Sequence, residues 1–184
     1  MTEEELTDLC KVGNRAAQQQ LYCTYAGRLF KICMRYVGDR QEAEDLLHDG
    51  FLHIYNSIVK FTWRGEGSLR AWLEKVMVNE VLSYIRKKKE YLIISPETIK
   101  EEDENEDVDE DEIEKIPMQV LLELINQLPM GYKTVFNLFV FEEKSHKEIA
   151  DLLGIKEKTS TSQYFRAKTL LAKKVNGWLK EHDR

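Results

Sequence analysis

The sequence predicts an all-α protein built as two small helical domains joined by an acidic flexible linker, with a helix-turn-helix in the C-terminal domain. Three observations predict it. Glycine and proline are scarce, 9 and 3 in 184 residues, which favours helices with short connections. Apolar residues recur at helical spacing on both sides of the chain's middle, as expected of helices with one buried face. Between them, residues 101–114, EEDENEDVDEDEIE, carry 11 acids and no bases. Like charges at that density repel one another and cannot offset the entropy lost on ordering. The expected division is residues 1–92, a linker over 93–116, and residues 117–184.

Each predicted helix has its own punctuation. Thr2 and Glu5 form a capping box, opening a helix to about Val12 with Leu6 and Leu9 inward. Gly13 breaks it and Asn14 caps the next, Arg15 to Val37, whose inner face is Leu21, Tyr25, Leu29, Ile32 and Tyr36. Gly38 stops that helix. Asp39 then caps a third, about Arg40 to Ile58, with Ala43, Leu47, Phe51, Ile54 and Ile58 inward. Its opposite face shows Asp45, His48, Asp49, Leu52 and Tyr55, an acidic surface with apolar members, which suits a protein partner.

The loop FTWRGEGS, residues 61–68, combines aromatic rings, an arginine and two glycines. Ser68 is the expected cap of a helix carrying Leu69, Trp72, Leu73, Val76, Met77, Val81 and Ile85, which ends in the cations Arg86 to Lys89. Aromatic rings beside a basic helix end suit single-stranded nucleic acid, because rings stack on bases and cations track phosphates. Trp72 reads as core; Trp63 and Arg64, among glycines, read as functional. Past a short apolar stub at Tyr91 to Ile94 and the acidic run, helices resume at Met118 to Leu128 and Tyr132 to Glu142.

Ser145 to Leu171 reads as two helices joined by a tight turn. Ser145 and Glu148 form a second capping box, and Ile149, Leu152 and Leu153 make an apolar face. Gly154 ends the helix. A second helix from about Glu157 places Ser160, Tyr164, Ala167 and Leu171 inward, which turns Thr159, Ser162, Gln163 and Arg166 outward with Thr161 and Lys168 flanking. Hydroxyls, an amide and cations on such a helix suit base edges and phosphates in a major groove.

Charge supports that reading once it is divided by segment. The whole chain is at −6, yet residues 1–100 carry 15 basic and 14 acidic residues, and residues 115–184 carry 12 and 8. The acidity belongs to the central run, so overall charge does not exclude a nucleic-acid partner. Cys10, Cys23 and Cys33 show no C-x-x-C spacing and read as reduced thiols. The four histidines offer no ligand set, so no metal or cofactor is expected. The polar start MTEEELTDLC does not resemble a signal peptide, and no apolar stretch is long enough to cross a membrane. The expected location is cytoplasmic.

The order of these parts resembles bacterial RNA polymerase sigma factors of the extracytoplasmic-function (group 4) family, over nearly the whole chain. Residues 39–55, DRQEAEDLLHDGFLHIY, are similar to that family's A-E-D-L-x-Q-E-x-F segment. Residues 69–88, LRAWLEKVMVNEVLSYIRKK, are similar to its aromatic-W-L-x-x-I-A-x-N-x-x-x-D-x-x-R segment. Leu128-Pro129 and residues 146–171, HKEIADLLGIKEKTSTSQYFRAKTLL, are similar to its second domain. The chain departs from the pattern at His48 and Asp49, where Gln and Glu are usual, and at Ser83, Lys158 and Ser160.

The resemblance implies a transcription initiation factor, not an enzyme, that binds core RNA polymerase and recognises and melts promoter DNA. It implies that Asp45, Leu46, His48, Asp49, Leu52 and Tyr55 contact polymerase. It also implies that Phe61, Trp63, Arg64, Gly65, Asn79, Arg86, Lys87 and Lys88 hold the melted downstream element. Thr159, Thr161, Ser162, Gln163, Arg166 and Lys168 would read the upstream element. An anti-sigma protein is an expected partner, and the acidic linker reads equally as a spacer or as a mimic of RNA. The rival reading is a DNA-binding regulator whose N-terminal domain senses or dimerises. No base, nucleophile or ligand set converges on Glu42, Glu44, Asp45 and Asp49, which argues against an enzyme.

Overall fold

Eight α-helices and one 3-10 turn form among the described residues of the computed structural model, which are 1–88, 113 and 115–182. No strand occurs among them. The predicted apolar stub at 91–94, Lys89 and almost all of the acidic run lie outside the described residues. The chain divides into two compact units, Met1–Tyr84 and Ile85–Arg184.

The first unit begins with α1 (Glu3–Lys11), opened by the Thr2–Glu5 capping box. α2 (Arg15–Val37) starts where the Asn14 side chain accepts from the Ala17 amide and stops at Gly38. α3 (Arg40–Ser57) starts where the Asp39 side chain accepts from the Glu42 amide. It tightens into the 3-10 turn Ile58–Lys60 before the loop that leads to α4 (Ser68–Lys87). Leu21, Leu29, Ile32 and Tyr36 of α2 and Ala43, Leu47, Phe51 and Ile54 of α3 are all buried. Leu69, Leu73 and Met77 of α4 are fully buried with them. A Cβ at Gly50 would collide with the Met77 thioether, so the missing side chain sets how near α3 and α4 lie. Arg28–Glu74 and His53–Glu80 contacts at 3.4 and 3.1 Å tie α2 and α3 to α4 at the surface.

The second unit comprises α5 (Met118–Asn126), α6 (Met130–Val140), α7 (His146–Leu153) and α8 (Glu157–His182). Pro129 stands at the N-cap of α6, so Met130 and Gly131 begin that helix where the sequence suggested a break. The fixed φ of proline suits a helix start, and its missing N–H costs nothing there. Ile125, Leu128, Tyr132, Phe136 and Ala167 form one apolar cluster, with Tyr164, Leu170 and Leu171 against it. α8 is one continuous helix of 26 residues. Past the helix-turn-helix its Val175 joins Ile116 and Leu124, with Ile113, Trp178 and Leu179 packed alongside.

The turn between α7 and α8 depends on Gly154, at φ +68. An L side chain there pays the left-handed penalty although nothing lies near enough to collide with a Cβ. Gly154→Ala is expected to lower stability by about 1–2 kcal/mol. Gly27→Ala, in mid-helix with equally open space, is expected to gain roughly 0.5–1 kcal/mol. Thermal melts of the two variants check the contrast.

Candidate nucleic-acid interface

Between the 3-10 turn and α4 lies an open groove of about 480 Å³ lined by Lys60, Phe61, Thr62, Arg64, Ser68, Ala71, Trp72 and Lys75. Its back wall is aromatic: the Phe61 and Trp72 rings lie 5.1 Å apart at 35°. Phe61 is buried and Trp72 half-buried, so the tilted pair belongs to core and groove at once. Lys60, Arg64 and Lys75, all exposed, ring the opening with positive charge. Rings at the back and cations at the rim are what an unstacked base on a phosphate chain requires.

The groove adjoins the loop singled out by composition, but its lining differs from the residues expected there. Trp72, read as core only, lines the groove, whereas Trp63 does not. The Trp63 indole Nε1 is shielded from solvent and has no hydrogen-bond partner among the described residues. Gly65 is half-buried and, at φ +117, serves the path of the loop. Lys60, Thr62 and Lys75 were missed. Lys75 was findable, since Trp72, Lys75 and Asn79 share one stripe at helical spacing. Asn79 is exposed further along that stripe, Arg86 and Lys87 are exposed at the helix end, and Lys88 follows half-buried.

Ser68 does not cap α4 as expected, because it is the first residue of the helix. Its hydroxyl instead accepts from the Arg64 amide at 3.1 Å, while its own amide donates to the Gly65 carbonyl at 3.1 Å. The side chain closes the loop on itself and fixes the backbone of a groove residue.

On α3, Asp45, His48, Asp49 and Leu52 are exposed, Leu52 by 50%. Two residues expected beside them are not. Leu46 is buried at 5% exposure, because the apolar face of α3 is wider than the predicted stripe. Tyr55 is half-buried, and its hydroxyl donates to the Gln18 carbonyl at 3.0 Å. Burial chiefly, with nearby Cys10, Tyr22 and Cys23 adding to it, pushes the phenol up to about 12, so it remains a donor. Tyr22 and Phe51 continue this aromatic run, 4.6 Å apart, and Tyr22 is 43% exposed. Tyr55→Phe is expected to cost about 0.5–1.5 kcal/mol of stability by losing that one bond, measurable by urea denaturation.

The helix-turn-helix forms as read. The Ser145–Glu148 capping box is present, and hydrogen bonds from the Ser145 amide and hydroxyl hold the Glu148 carboxyl below its ordinary range. The outward face of α8, however, is rotated from the expected one. Gln163, expected to point outward, is 7% exposed. Thr159 and Arg166 are half-buried, whereas Thr161, Ser162 and Lys168 are exposed. Lys158 and Phe165 complete the exposed stripe, Phe165 with 61% of its surface open.

The packing partners explain the rotation. Ser160 is fully buried because its hydroxyl meets His146 Nδ1 at 3.0 Å. His146 in turn stacks on Phe139 at 4.7 Å, and Phe139 lies 4.3 Å from the Tyr164 ring. A satisfied polar contact therefore anchors the inner face at Ser160, Gln163 and Ala167. Tyr164 is left at its edge, with Lys168 Nζ 5.9 Å from its ring.

Two family profiles match this architecture. Sigma-70 region 2 matches residues 21–91, which include α3, the groove and the described part of α4. Sigma-70 region 4 matches residues 118–171, which include the helix-turn-helix. The chain is 26% identical over 184 residues to the ECF RNA polymerase sigma-E factor of Haemophilus influenzae, covering 95% of this chain and 96% of that one. It is 28% identical to the ECF RNA polymerase sigma factor SigW of Bacillus subtilis, covering 90% and 92%. Among solved structures it is similar to the sigma factor RpoE of Bartonella quintana, crystallised with the anti-sigma factor NepR. That likeness has a TM-score of 0.49 and 20% identity, and covers 90% of this chain and 98% of the other. With both regions present in order, the chain belongs to the extracytoplasmic-function sigma factors, non-enzymatic transcription initiation factors that direct RNA polymerase to promoters.

Proposed function

We propose that promoter recognition is divided between the two units, with the groove of the first holding the melted downstream strand. One observation carries the reading: a preformed recess backed by the tilted ring pair Phe61 and Trp72 and rimmed by Lys60, Arg64 and Lys75. Capturing a base there offsets the few kcal/mol that unstacking it costs, so recognition and melting occur in one step. Asn79 extends the strand path along α4. Trp63 supports the loop from behind rather than touching the strand.

The exposed stripe of α8 reads the upstream element in the major groove. Thr161, Ser162 and Phe165 face base edges, and Lys158 and Lys168 meet phosphates. Thr159 and Arg166 contribute from the flanks. The ridge of Asp45, His48, Asp49 and Leu52 docks a basic helical element of core polymerase. Residues 1–92 and 117–184 are the functional domains of this reading, with 93–116 between them. An anti-sigma protein is a further partner supported by family membership. A cytoplasmic location follows in this reading from action on RNA polymerase.

The test is holoenzyme binding to forked promoter DNA, duplex upstream and single-stranded downstream. Asp45→Ala/Asp49→Ala should lose core polymerase, and the α8 variants should lose only the duplex end. A chain that binds duplex DNA alone and ignores core enzyme would instead support the regulator reading.

A further inference from the structure

α1 lies before the segment that the family profile matches, yet it reaches into the strand-holding loop. Glu3 Oε2 accepts from the Gly67 amide at 2.8 Å, across 64 residues of sequence. Glu3 Oε1 accepts from the Tyr25 hydroxyl at 3.2 Å. One half-buried carboxylate thus joins α1, α2 and the last residue of the loop before α4. Burial first, then the charge of Glu3 and its hydrogen bond, raise the Tyr25 phenol, which keeps it a donor. The hold on the loop is continued by the Ser68 hydroxyl, which accepts from the Arg64 amide. Gly67, Ser68 and Arg64 therefore form one relay from α1 to the groove rim, anchored at Glu3.

We propose that Glu3 is a positioning residue for the downstream-strand groove, fixing through Gly67 the loop that carries Phe61 and Arg64. The inference rests on the reading of the groove given above. Without the acceptor, the Gly67 amide loses its partner and the loop gains freedom that strand capture must then remove, which weakens capture. Glu3 touches neither DNA nor polymerase in this scheme, so core binding and upstream duplex binding stay as they are. Glutamine serves as well as glutamate, because its carbonyl oxygen accepts from Gly67 and its amide donates to the Tyr25 oxygen.

The test uses the full chain in three measurements, with thermal melts as a folding control: amide exchange at Gly67, holoenzyme affinity for forked promoter DNA, and affinity for core polymerase. Glu3→Ala should speed Gly67 exchange and weaken fork binding by about tenfold. Its core affinity should stay within about twofold of wild type. Glu3→Gln should behave as wild type in all three. The proposal is overturned if Glu3→Ala leaves fork binding intact, or if fork and core affinity fall together with thermal stability. It is overturned equally if Glu3→Gln is as defective as Glu3→Ala. A wild-type holoenzyme that shows no preference for the fork would sink the groove reading instead, and Gly67 exchange would then decide on the latch alone.

Discussion

Trp72→Leu combined with Lys75→Ala is expected to abolish most strand capture while sparing polymerase binding. Leucine keeps the half-buried position filled, so the apolar contact with Phe61 survives and the stacking plane does not. Stacking of a base on an aromatic side chain is worth about 1–3 kcal/mol, or roughly five- to 150-fold in affinity. Removing Lys75 takes one cation from the rim, so the salt dependence of fork binding should also flatten by somewhat less than about one unit of slope. The measurement is fork-DNA affinity of reconstituted holoenzyme at several salt concentrations, with core affinity in parallel. Undiminished fork binding would place the strand elsewhere on the chain.

The second large effect concerns α8. Phe165→Ala is expected to relax promoter choice by about 1–3 kcal/mol at one position, the scale of a good base contact. Phe165 leaves 61% of a large ring in water, and on the proposed reading that ring meets a thymine methyl. Gln163→Ala should do the opposite: the side chain is turned inside, so the variant should lose folding stability and weaken all promoters alike. Transcription from a promoter library separates the outcomes. A base-specific change with Gln163→Ala and none with Phe165→Ala would restore the unrotated face.

These residues show what was legible in the chain. Helix starts and stops were, because capping is local: Thr2 with Glu5, Ser145 with Glu148, and Gly154 each act within a few residues. The apolar stripes of α2 and α3 were also legible from their period. The rotation of α8 was not, because its inner face is set by His146 and Phe139, which belong to other helices. A hydrogen-bonded serine occupies the interior as readily as a leucine, and periodicity cannot see the bond. Leu46 and Tyr55 show the same limit on α3, where the breadth of the buried face follows from α2. The hold of Glu3 on Gly67 spans 64 residues and leaves no mark in local pattern. The groove was half legible: its loop declared itself by composition, but Trp72 serves core and groove together, and the sequence favoured only the first.

The recess between the 3-10 turn and α4 is proposed to hold single-stranded promoter DNA. A photo-crosslinking amino acid placed at Ala71, which lines the groove and is exposed, tests it most directly in the holoenzyme–promoter complex. Cross-links are expected on one strand of the melted downstream element only, with a probe at Ser162 marking the upstream duplex instead. Cross-links from Ala71 to duplex DNA, or to polymerase alone, would contradict it.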